Sequence, residues 1–257
     1  MNSDFDMKKP VRSLLLLGAL LAGLCQAGEV SVAVAANFTA PMQKIATAFA
    51  QDTGHTAVLS FGSTGKFYAQ IRNGAPFQVL LAADDETPAR LEKDGLALAG
   101  TRFTYAMGRL VLWSKQQGMV DAAGDVLRKG TFGRLAIADP KLAPYGAAAM
   151  ETINRLGLLP ALQPRLVQGD SIGQAYQFVA TGNAVLGLVA LSQVMLDGKL
   201  VEGSAWIVPA DLHAPLRQDA VVLATAKGNP AAPALMAYLK SDKARVIMRA
   251  YGYESPL

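Results

Sequence analysis

Apolar and polar positions alternate between two patterns from about residue 30 to the end of the chain. Short, nearly continuous apolar runs are typical of strands covered on both faces, and they predict strands at 30–36, 56–61, 79–83, 135–138, 165–168, 185–190, 206–209 and 220–224. Between them lie segments with helical spacing, such as Met42, Ile45, Ala46 and Phe49. The alternation predicts an α/β fold with mostly parallel sheets flanked by helices.

Glycines mark where several of the predicted helices end. Gly54, Gly74, Gly157 and Gly182 each follow a helical segment, and glycine just past a helix adopts the left-handed conformation that other residues resist. We therefore expect helix C-caps at all four positions. The last helical pattern extends over 231–250 and predicts one long helix.

The stretch 102–114, RFTYAMGRLVLWS, is long and apolar, with Gly108 near its centre. It predicts either one long strand with a bulge at Gly108 or a segment that leaves one lobe and enters another. The chain has no linker, low-complexity tract or internal repeat that would divide it. The pattern alone therefore leaves open whether the protein is one large domain or two small lobes.

Residues 1–27 have the organisation of a secretory signal peptide. Three basic residues precede an apolar run at 14–24, and Cys25 and Ala27 place small residues at the cleavage positions. The run is shorter than the roughly 20 apolar residues of a membrane span. We predict a mature chain from Gly28 and a periplasmic location. The alternatives are an N-terminal anchor and a lipoprotein acylated at Cys25, although Leu24 stands where lipoprotein signals have a small residue.

Composition excludes several classes of site. Cys25 is the single cysteine of the chain, so a mature chain from Gly28 has no disulfide, thiolate metal site or cysteine nucleophile. The formal net charge of +4 is compatible with an anionic ligand. The cations are too scattered, however, for a nucleic-acid-binding surface.

The segment SFGSTGKF, residues 60–67, has the appearance of a phosphate-binding loop but fails its requirements. A Walker A loop has a glycine five residues before the Gly-Lys pair and Ser or Thr directly after the lysine. This chain has Ser60 and Phe67 at those two positions. A dinucleotide-binding fingerprint is also missing after the first strand.

Residues suited to catalysis are scarce. Neither His55 nor His213 lies in a recognisable triad or metal-ligand spacing. The acidic run 84–86 is better explained as a solvated loop than as a metal site. We therefore predict a protein that is not an enzyme, with no catalytic residues and no cofactor.

Four predicted strands are followed by loops rich in small and hydroxyl residues with Gly or Pro: AANFTAP, GSTGK, DPKLAPYG and QGDSIGQ. Loops at the carboxyl ends of parallel strands form the usual ligand crevice of α/β proteins. Each loop leads into a helix, and helix N-termini bind anions through unpaired N–H groups and a partial positive charge. Together the loops predict a site for a small oxyanion. The alternative for each loop is ordinary N-capping, by Asn37, Thr64 and Ser171.

With these loops in order, the sequence resembles the periplasmic molybdate-binding proteins of ABC transporters, a branch of the two-lobed, type II periplasmic binding proteins. The resemblance covers about residues 29–253 and is carried by AANFTAPM, SFGSTGKFYAQIRNGAPFQVLLAADDETPARL, FTYAMGRLVLWS, APYG, DSIGQA and the terminal YGY. It implies two lobes with the ligand cleft between them and two crossings of the chain. Lobe 1 would comprise 28–108 and 217–257, and lobe 2 would comprise 109–216.

The resemblance also implies five ligand-binding residues. Asn37 matches the ligand position of the first loop, and Ser63 and Thr64 match a serine pair in the second. Tyr145 matches the third-loop ligand, and Ile172 matches an aliphatic residue that donates its backbone N–H. Molybdenum would be present only within the bound oxyanion, held by these same residues.

Three further positions bear on the implied site. Ala190 stands where one branch of the family has a tyrosine, so either the hydroxyl of Tyr145 takes that place or one donor is missing. Lys66 is expected to point to solvent, with long-range attraction of the anion as the alternative. Asp170, the one carboxylate in the loop cores, is expected to cap the following helix and not to face the ligand.

The implied function is capture of molybdate or tungstate in the periplasm and delivery to an inner-membrane ABC transporter permease. The protein is expected to be a monomer with no nucleic-acid partner. A site made only of donors suits a fully deprotonated tetrahedral dianion, whereas monohydrogen phosphate needs an acceptor for its proton. Sulfate carries the same charge as molybdate and must be excluded by cavity size. A binding protein for another small anion, such as sulfate or phosphate, is the alternative.

Overall fold

A computed structural model describes residues 27–254 of the chain. The predicted signal peptide, residues 1–27, lies outside the described residues except for Ala27. The strands are β1 (Glu29–Ala35), β2 (Thr56–Gly62), β3 (Val79–Leu81), β4 (Phe103–Gly108), β5 (Leu110–Ser114), β6 (Leu135–Ala138), β7 (Leu166–Gly169), β8 (Leu186–Ala190), β9 (Met195–Leu196), β10 (Lys199–Leu200), β11 (Ser204–Ile207) and β12 (Leu216–Val222). The helices are α1 (Thr39–Thr53), α2 (Thr64–Arg72), α3 (Glu86–Lys93), α4 (Val126–Lys129), α5 (Pro144–Arg155), α6 (Leu159–Leu162), α7 (Ile172–Ala180), α8 (Ala231–Leu239) and α9 (Asp242–Ala250).

The strands form two five-stranded sheets and one small hairpin. The first sheet has the order β2-β1-β3-β12-β4, the second has the order β11-β5-β8-β6-β7, and β9 pairs with β10. The predicted α/β class is confirmed, but each sheet is mixed and not mostly parallel. Every antiparallel pairing within the two sheets involves β5 or β12. These are the strands with which the chain enters a sheet after leaving the other one.

The stretch 102–114 is two strands in two different sheets. Strand β4 belongs to the first sheet and β5 to the second, with Arg109 between them, so one long strand bulged at Gly108 does not form. The chain returns to the first sheet between β11 and β12. We propose lobes that follow the sheets, 28–108 with 217–257 and 109–216. Leu216 stands at the boundary, because it pairs with Gly108 in the first sheet while its side chain packs in the core of the second lobe.

Separate apolar cores stabilise the two sheets. In the first lobe, Met42, Ile45 and Phe49 of α1 are fully buried against the sheet, as the helical spacing predicted. In the second, Leu110 and Leu112 of β5 share a core with residues of α5 and α7. Burying a side chain of this size contributes roughly 1.5 to 3 kcal/mol. Each lobe therefore has a core of its own, and Ala35 and Ala83 of the first lobe join the core of the second where the lobes meet.

The helix ends confirm one prediction and correct another. Gly54, Gly74, Gly157 and Gly182 all have positive φ, from 70° to 85°. The predicted long helix 231–250 is wrong, because the chain forms α8 and α9 with a break at 240–241. Ser241 is the N-cap of α9, and its hydroxyl accepts the N–H of Ala244 at 3.2 Å. A serine in this position stabilises a new helix start by about 1 kcal/mol.

Candidate anion-binding site

A small cavity of about 10 Å³ lies between the two lobes. It is far smaller than the roughly 300 to 1,000 Å³ of pockets that hold drug-sized ligands. Only a compact group of a few atoms can occupy it in this closed arrangement. The cavity is lined by Ala35, Ala36, Asn37, Gly62, Ser63, Thr64, Ala83, Ala143, Pro144, Tyr145 and Ile172.

The structure brings all five predicted site residues to this cavity. Asn37, Ser63 and Thr64 come from the loops after β1 and β2, and Tyr145 and Ile172 come from the second lobe. Each of the five is only 1 to 3 % exposed. The lining residues include no charged side chain.

Helix N-termini from both lobes meet at the cavity. Thr64 is the first residue of α2, Tyr145 the second of α5 and Ile172 the first of α7. Main-chain N–H groups in the first turn have no acceptor within their own helix, and they carry the positive end of the helix dipole. The cavity is thus surrounded by donors without any cation.

Of the three residues considered as possible N-caps, Asn37, Thr64 and Ser171, one caps a helix with its side chain. The hydroxyl of Ser171 caps α7 by accepting the N–H of Gln174 at 3.3 Å. Asn37 precedes the N-cap of α1, Thr64 follows the N-cap of α2, and neither helix has a side-chain cap. The polar side chains of the first two loops are therefore not used as helix caps.

The hydroxyls of Ser63 and Thr64 have unused hydrogen-bonding capacity. Ser63 Oγ is buried without a partner, one of two such side-chain atoms among residues 27–254. Thr64 Oγ1 accepts the N–H of Ala83 at 3.0 Å, and its own hydrogen has no acceptor among the hydrogen bonds of the described residues. A buried polar group without a partner costs roughly 1 to 3 kcal/mol. An acceptor placed in the cavity would remove that cost.

Asn37 is held by its surroundings in a way that the sequence did not indicate. Its Nδ2 donates to Gln218 Oε1 at 2.9 Å and to Tyr253 Oη at 2.8 Å. Its Oδ1 is the second buried side-chain atom without a partner. Its main-chain oxygen accepts the hydroxyl of Ser192 at 2.8 Å, across the cleft. Both amide hydrogens are therefore in use, and what Asn37 offers a ligand as a donor is its main-chain N–H.

Tyr145 is a neutral donor at physiological pH. Its side chain is fully enclosed, and this desolvation raises the pKa of the phenol well above its usual value. Its Oη accepts the Nε2 hydrogen of Gln218 at 3.1 Å. Ala190, in contrast, is absent from the lining of the cavity, and its N–H donates to Gln193 Oε1 at 3.0 Å.

Sequence reasoning missed a buried polar network behind the cavity. Gln218 and Tyr253 contact Asn37, and Tyr105 Oη lies 2.9 Å from Gln218 Oε1. Burial raises the pKa of Tyr253 to about 12, so its hydroxyl also stays protonated. The sequence carried a partial signal, because Gln218 and Asp219 directly precede the apolar run 220–224 and lie in the same strand.

The predicted capping role of Asp170 is wrong, whereas the expectations that Asp170 faces away from the cavity and that Lys66 is exposed agree with the structure. Ser171 and not Asp170 caps α7, and the Asp170 carboxylate accepts from Lys66 Nζ at 2.6 Å. Neither residue lines the cavity. Their side chains are 45 % exposed for Lys66 and 68 % for Asp170. The pair joins α2 of the first lobe to the loop before α7 of the second.

A main-chain hydrogen bond joins the lobes beside this ion pair. Gly65 N–H donates to the main-chain oxygen of Leu142 at 2.9 Å. A Cβ atom on Gly65 would lie 2.9 Å from that same oxygen, closer than a real side chain tolerates. Glycine is therefore required at position 65 for the lobes to approach this closely.

A larger cleft of about 340 Å³ adjoins the cavity and shares Ala83, Ala143 and Pro144 with it. Its walls carry Asp84, Asp85, Glu86 and Glu151, with Lys141 and Arg217. A wall rich in carboxylates does not suit an anion. Within residues 27–254, no group of three or more His, Cys, Asp or Glu is arranged to hold a metal ion.

No helix in the described part of the chain is both long enough and apolar enough to span a bilayer.

Comparison with known proteins places this geometry in a family. The sequence pattern of the family described as "Bacterial extracellular solute-binding protein" matches residues 30–254. The molybdate-binding protein ModA of Azotobacter vinelandii is 61 % identical over 243 residues, which cover 94 % of this chain and 96 % of that protein. The molybdate-binding protein ModA of Rhodobacter capsulatus is 51 % identical over 238 residues, covering 91 % and 93 %.

A solved structure gives the same result in three dimensions. The periplasmic molybdate-binding protein of Azotobacter vinelandii superposes with a TM-score of 0.84 at 42 % identity, covering 89 % of this chain and all of that one. The chain belongs to the family of bacterial extracellular solute-binding proteins.

Proposed function

We propose that this protein binds molybdate or tungstate and delivers it to the permease of an ABC transporter. The observation that supports this most directly is the composition of the cavity: hydroxyl and main-chain donors from both lobes, with no charged side chain in the lining. The relatives named as molybdate-binding proteins point to the same ligand.

The donor set suits an anion that carries no proton. Each oxygen of a deprotonated tetrahedral dianion accepts hydrogen bonds, so the Ser63 and Thr64 hydroxyls and the helix N-termini can all be satisfied at once. Hydrogen bonds to charged groups contribute about 1.5 to 3 kcal/mol each. Neutral donors hold the dianion without a buried cation, and reopening of the lobes exposes it to water again.

One atom, Asn37 Oδ1, supports a second candidate ligand. Asn37 Oδ1 is a buried acceptor without a partner in a residue that lines the cavity. An acceptor at the wall would favour an oxyanion that retains a proton, such as monohydrogen phosphate. A phosphate-binding protein is therefore the alternative, and sulfate differs from molybdate in size alone.

Calorimetric titration of the chain from Gly28 with molybdate, tungstate, sulfate and phosphate tests the proposal. We expect tight binding of molybdate or tungstate and much weaker binding of the other two anions. Sulfate or phosphate binding as tightly as molybdate would contradict the assignment.

The remaining parts of the proposal concern the setting of the protein. We propose that it acts in the periplasm as a monomer, with molybdate or tungstate as cargo and a membrane permease as partner. Binding is non-covalent and needs no cofactor, and we assign no catalytic residue. Closure of the lobes about the crossings after β4 and β11 would enclose the cargo.

A further inference from the structure

Gln218 occupies a central position behind the cavity. It lies on β12, the strand with which the chain returns to the first sheet, and its side chain is fully buried. The register of β12 against β4 shifts between Gln218 and Asp219. This irregularity sits next to the crossing at Gly108, where the two lobes join.

The hydrogen bonds of Gln218 connect one site residue from each lobe. Its Oε1 accepts the amide of Asn37 at 2.9 Å, from the first lobe. Its Nε2 donates to the hydroxyl oxygen of Tyr145 at 3.1 Å, from the second lobe. Tyr105 Oη, 2.9 Å from Oε1, is a further partner on the oxygen side.

A glycine makes the contact with Tyr145 possible. A Cβ atom on Gly108 would lie 2.2 Å from Tyr145 Oη and 2.4 Å from Gln218 Nε2. Any other residue at position 108 would displace one or both of these side chains from their present positions. The crossing and the hydrogen bond thus depend on the same backbone position.

The direction of the Gln218 amide decides which hydrogens remain for the cavity. Because Nε2 donates to Tyr145, as does the main-chain N–H of Arg109, the hydroxyl hydrogen of Tyr145 cannot point at Gln218 and is left for another acceptor. That acceptor is either an anion in the cavity or the hydroxyl of Tyr253, which also contacts the Tyr145 hydroxyl. Because Oε1 accepts from Asn37, one of the two Asn37 amide hydrogens is withheld from the cavity. A reversed Gln218 amide would place its donor against the Asn37 donor and would consume the Tyr145 hydrogen.

We propose that Gln218 is a positioning residue that orients the Tyr145 hydroxyl as a donor to the bound oxyanion. The inference rests on the proposed function and extends it to a residue that lies outside the cavity lining. Gln218 does not touch the ligand. It acts by occupying the oxygen of Tyr145, so that the hydrogen of that hydroxyl faces the anion.

A double-mutant cycle on molybdate binding tests this inference. Calorimetry would compare the chain from Gly28 with Gln218→Met, Tyr145→Phe and the double variant. If Gln218 acts through the Tyr145 hydroxyl, each single change weakens binding about tenfold, and the double variant binds no more weakly than Tyr145→Phe. Losses that multiply in the double variant would overturn the proposal, because Gln218 would then act independently of Tyr145.

Gln78→Met is the matched control. Gln78 Oε1 also has two buried or partly buried partners, Ser31 N–H at 3.1 Å and Asn229 Nδ2 at 3.0 Å, but it is not part of the cavity network. We expect this variant to bind molybdate as the parent does. A loss equal to that of Gln218→Met would mean that general destabilisation accounts for both, against the proposal.

Gln218→Glu distinguishes a positioning role from a purely structural one. Only a positioning role should make the affinity of this variant depend on pH. The carboxylate accepts the Tyr145 hydrogen and repels a dianion, so binding at neutral pH should be weaker than in Gln218→Met. Protonation of the buried carboxyl at lower pH restores a donor to Tyr145, and affinity should recover. Affinity of this variant that does not change with pH would count against the proposal.

The anion titrations and the double-mutant cycle together distinguish failure of the positioning role from failure of the proposed function. If the parent chain prefers phosphate or sulfate, the proposed function fails, and the cycle is run with the preferred anion. Coupling between Gln218 and Tyr145 for that anion would still support the positioning role. A parent chain that binds none of the four anions would overturn both.

Discussion

At the residue scale, the two neighbouring hydroxyls of the second loop differ in their other contacts. Ser63 Oγ has no partner among the described residues, whereas Thr64 Oγ1 accepts the N–H of Ala83. A ligand would satisfy both hydroxyls, but only Thr64 also supports the fold of the empty protein. Substitutions at the two positions should therefore separate affinity from stability.

We expect Ser63→Ala to weaken oxyanion binding by about 1.5 to 3 kcal/mol, the value of a hydrogen bond to a charged acceptor. Without ligand it should be at least as stable as the parent, because it removes a buried hydroxyl that has no partner. Thr64→Val should lose affinity and also about 1 to 3 kcal/mol of unfolding free energy, since the Ala83 N–H loses its acceptor. Calorimetry and thermal unfolding without ligand measure the two effects. Equal stability losses in both variants would contradict this reading of the hydroxyls.

Asp84 makes stability depend on pH. Its carboxylate accepts from the N–H and hydroxyl of Thr87, but desolvation dominates and raises the pKa from 3.8 to about 6. The folded state thus holds a proton that the unfolded state has already lost between about pH 4 and 6. Stability falls as pH rises through that range and levels off above it.

Asp84→Asn removes the buried charge and keeps an acceptor for the Thr87 N–H. We expect it to be more stable than the parent above about pH 6, by up to roughly 3 kcal/mol, and to show no advantage near pH 4. Urea unfolding across this range measures the difference. Glu86→Gln, at an exposed neighbour, controls for the loss of one negative charge. A constant difference between Asp84→Asn and the parent at every pH would be inconsistent with the raised pKa.

At the scale of elements, the sequence pattern predicted most strands, and its errors have identifiable causes. Continuous apolar runs such as Leu135–Ala138 form strands because both faces of the sheet are covered. The helical period continues through 240–241, so apolar spacing alone predicted one helix where α8 and α9 form. The pair Ser241 and Asp242 carried the missing signal, a capping residue followed by an acidic first turn.

The site, like the helices and strands, was predicted from the sequence in part. The loops after β1 and β2 predicted an oxyanion site with ordinary N-capping as the alternative, and it was the family resemblance that implied Asn37, Ser63 and Thr64 as ligand residues. Gln218 was missed because its role depends on Tyr145, which lies 73 positions away in the chain. The local pattern shows that Gln218 is a polar residue beside an apolar run, but it does not show which distant side chain it contacts.

At the scale of the whole molecule, several polar contacts cross between the lobes. Beside the Gln218 bond to Tyr145, they include the Gly65 bond to Leu142, the Ser192 bond to Asn37, and the ion pair of Lys66 with Asp170. Of these four contacts, the ion pair is the one that substitution can remove without touching the cavity lining or the side chains bonded to it.

We expect loss of the ion pair to speed ligand release. Exposed ion pairs contribute about 0.2 to 1 kcal/mol, so Lys66→Met and Asp170→Asn should each raise the dissociation rate by up to about fivefold. Long-range electrostatics alone predicts the opposite result for Asp170→Asn, because it removes a negative charge near an anion site. Stopped-flow measurement of the ligand dissociation rate distinguishes loss of the ion pair, which speeds release, from long-range electrostatics, which slows it.

The reversed pair, Lys66→Asp with Asp170→Lys, should recover slow release. The matched control is Asp52→Asn, which breaks an ion pair with Lys243 of 2.8 Å within the first lobe, and it should leave release unchanged. Tighter binding in Asp170→Asn would show that the pair does not hold the lobes together.

The close approach of Gly65 to Leu142 has a consequence for the balance of conformations. A side chain at position 65 would touch no ligand, yet it would exclude the closed form, since its Cβ would lie against the Leu142 oxygen. Apparent affinity scales with the fraction of molecules able to close. A substitution that left about one molecule in a hundred competent would cost about a hundredfold in apparent affinity, with every ligand contact intact. Affinity in this protein is therefore set partly by the absence of one carbon atom outside the cavity.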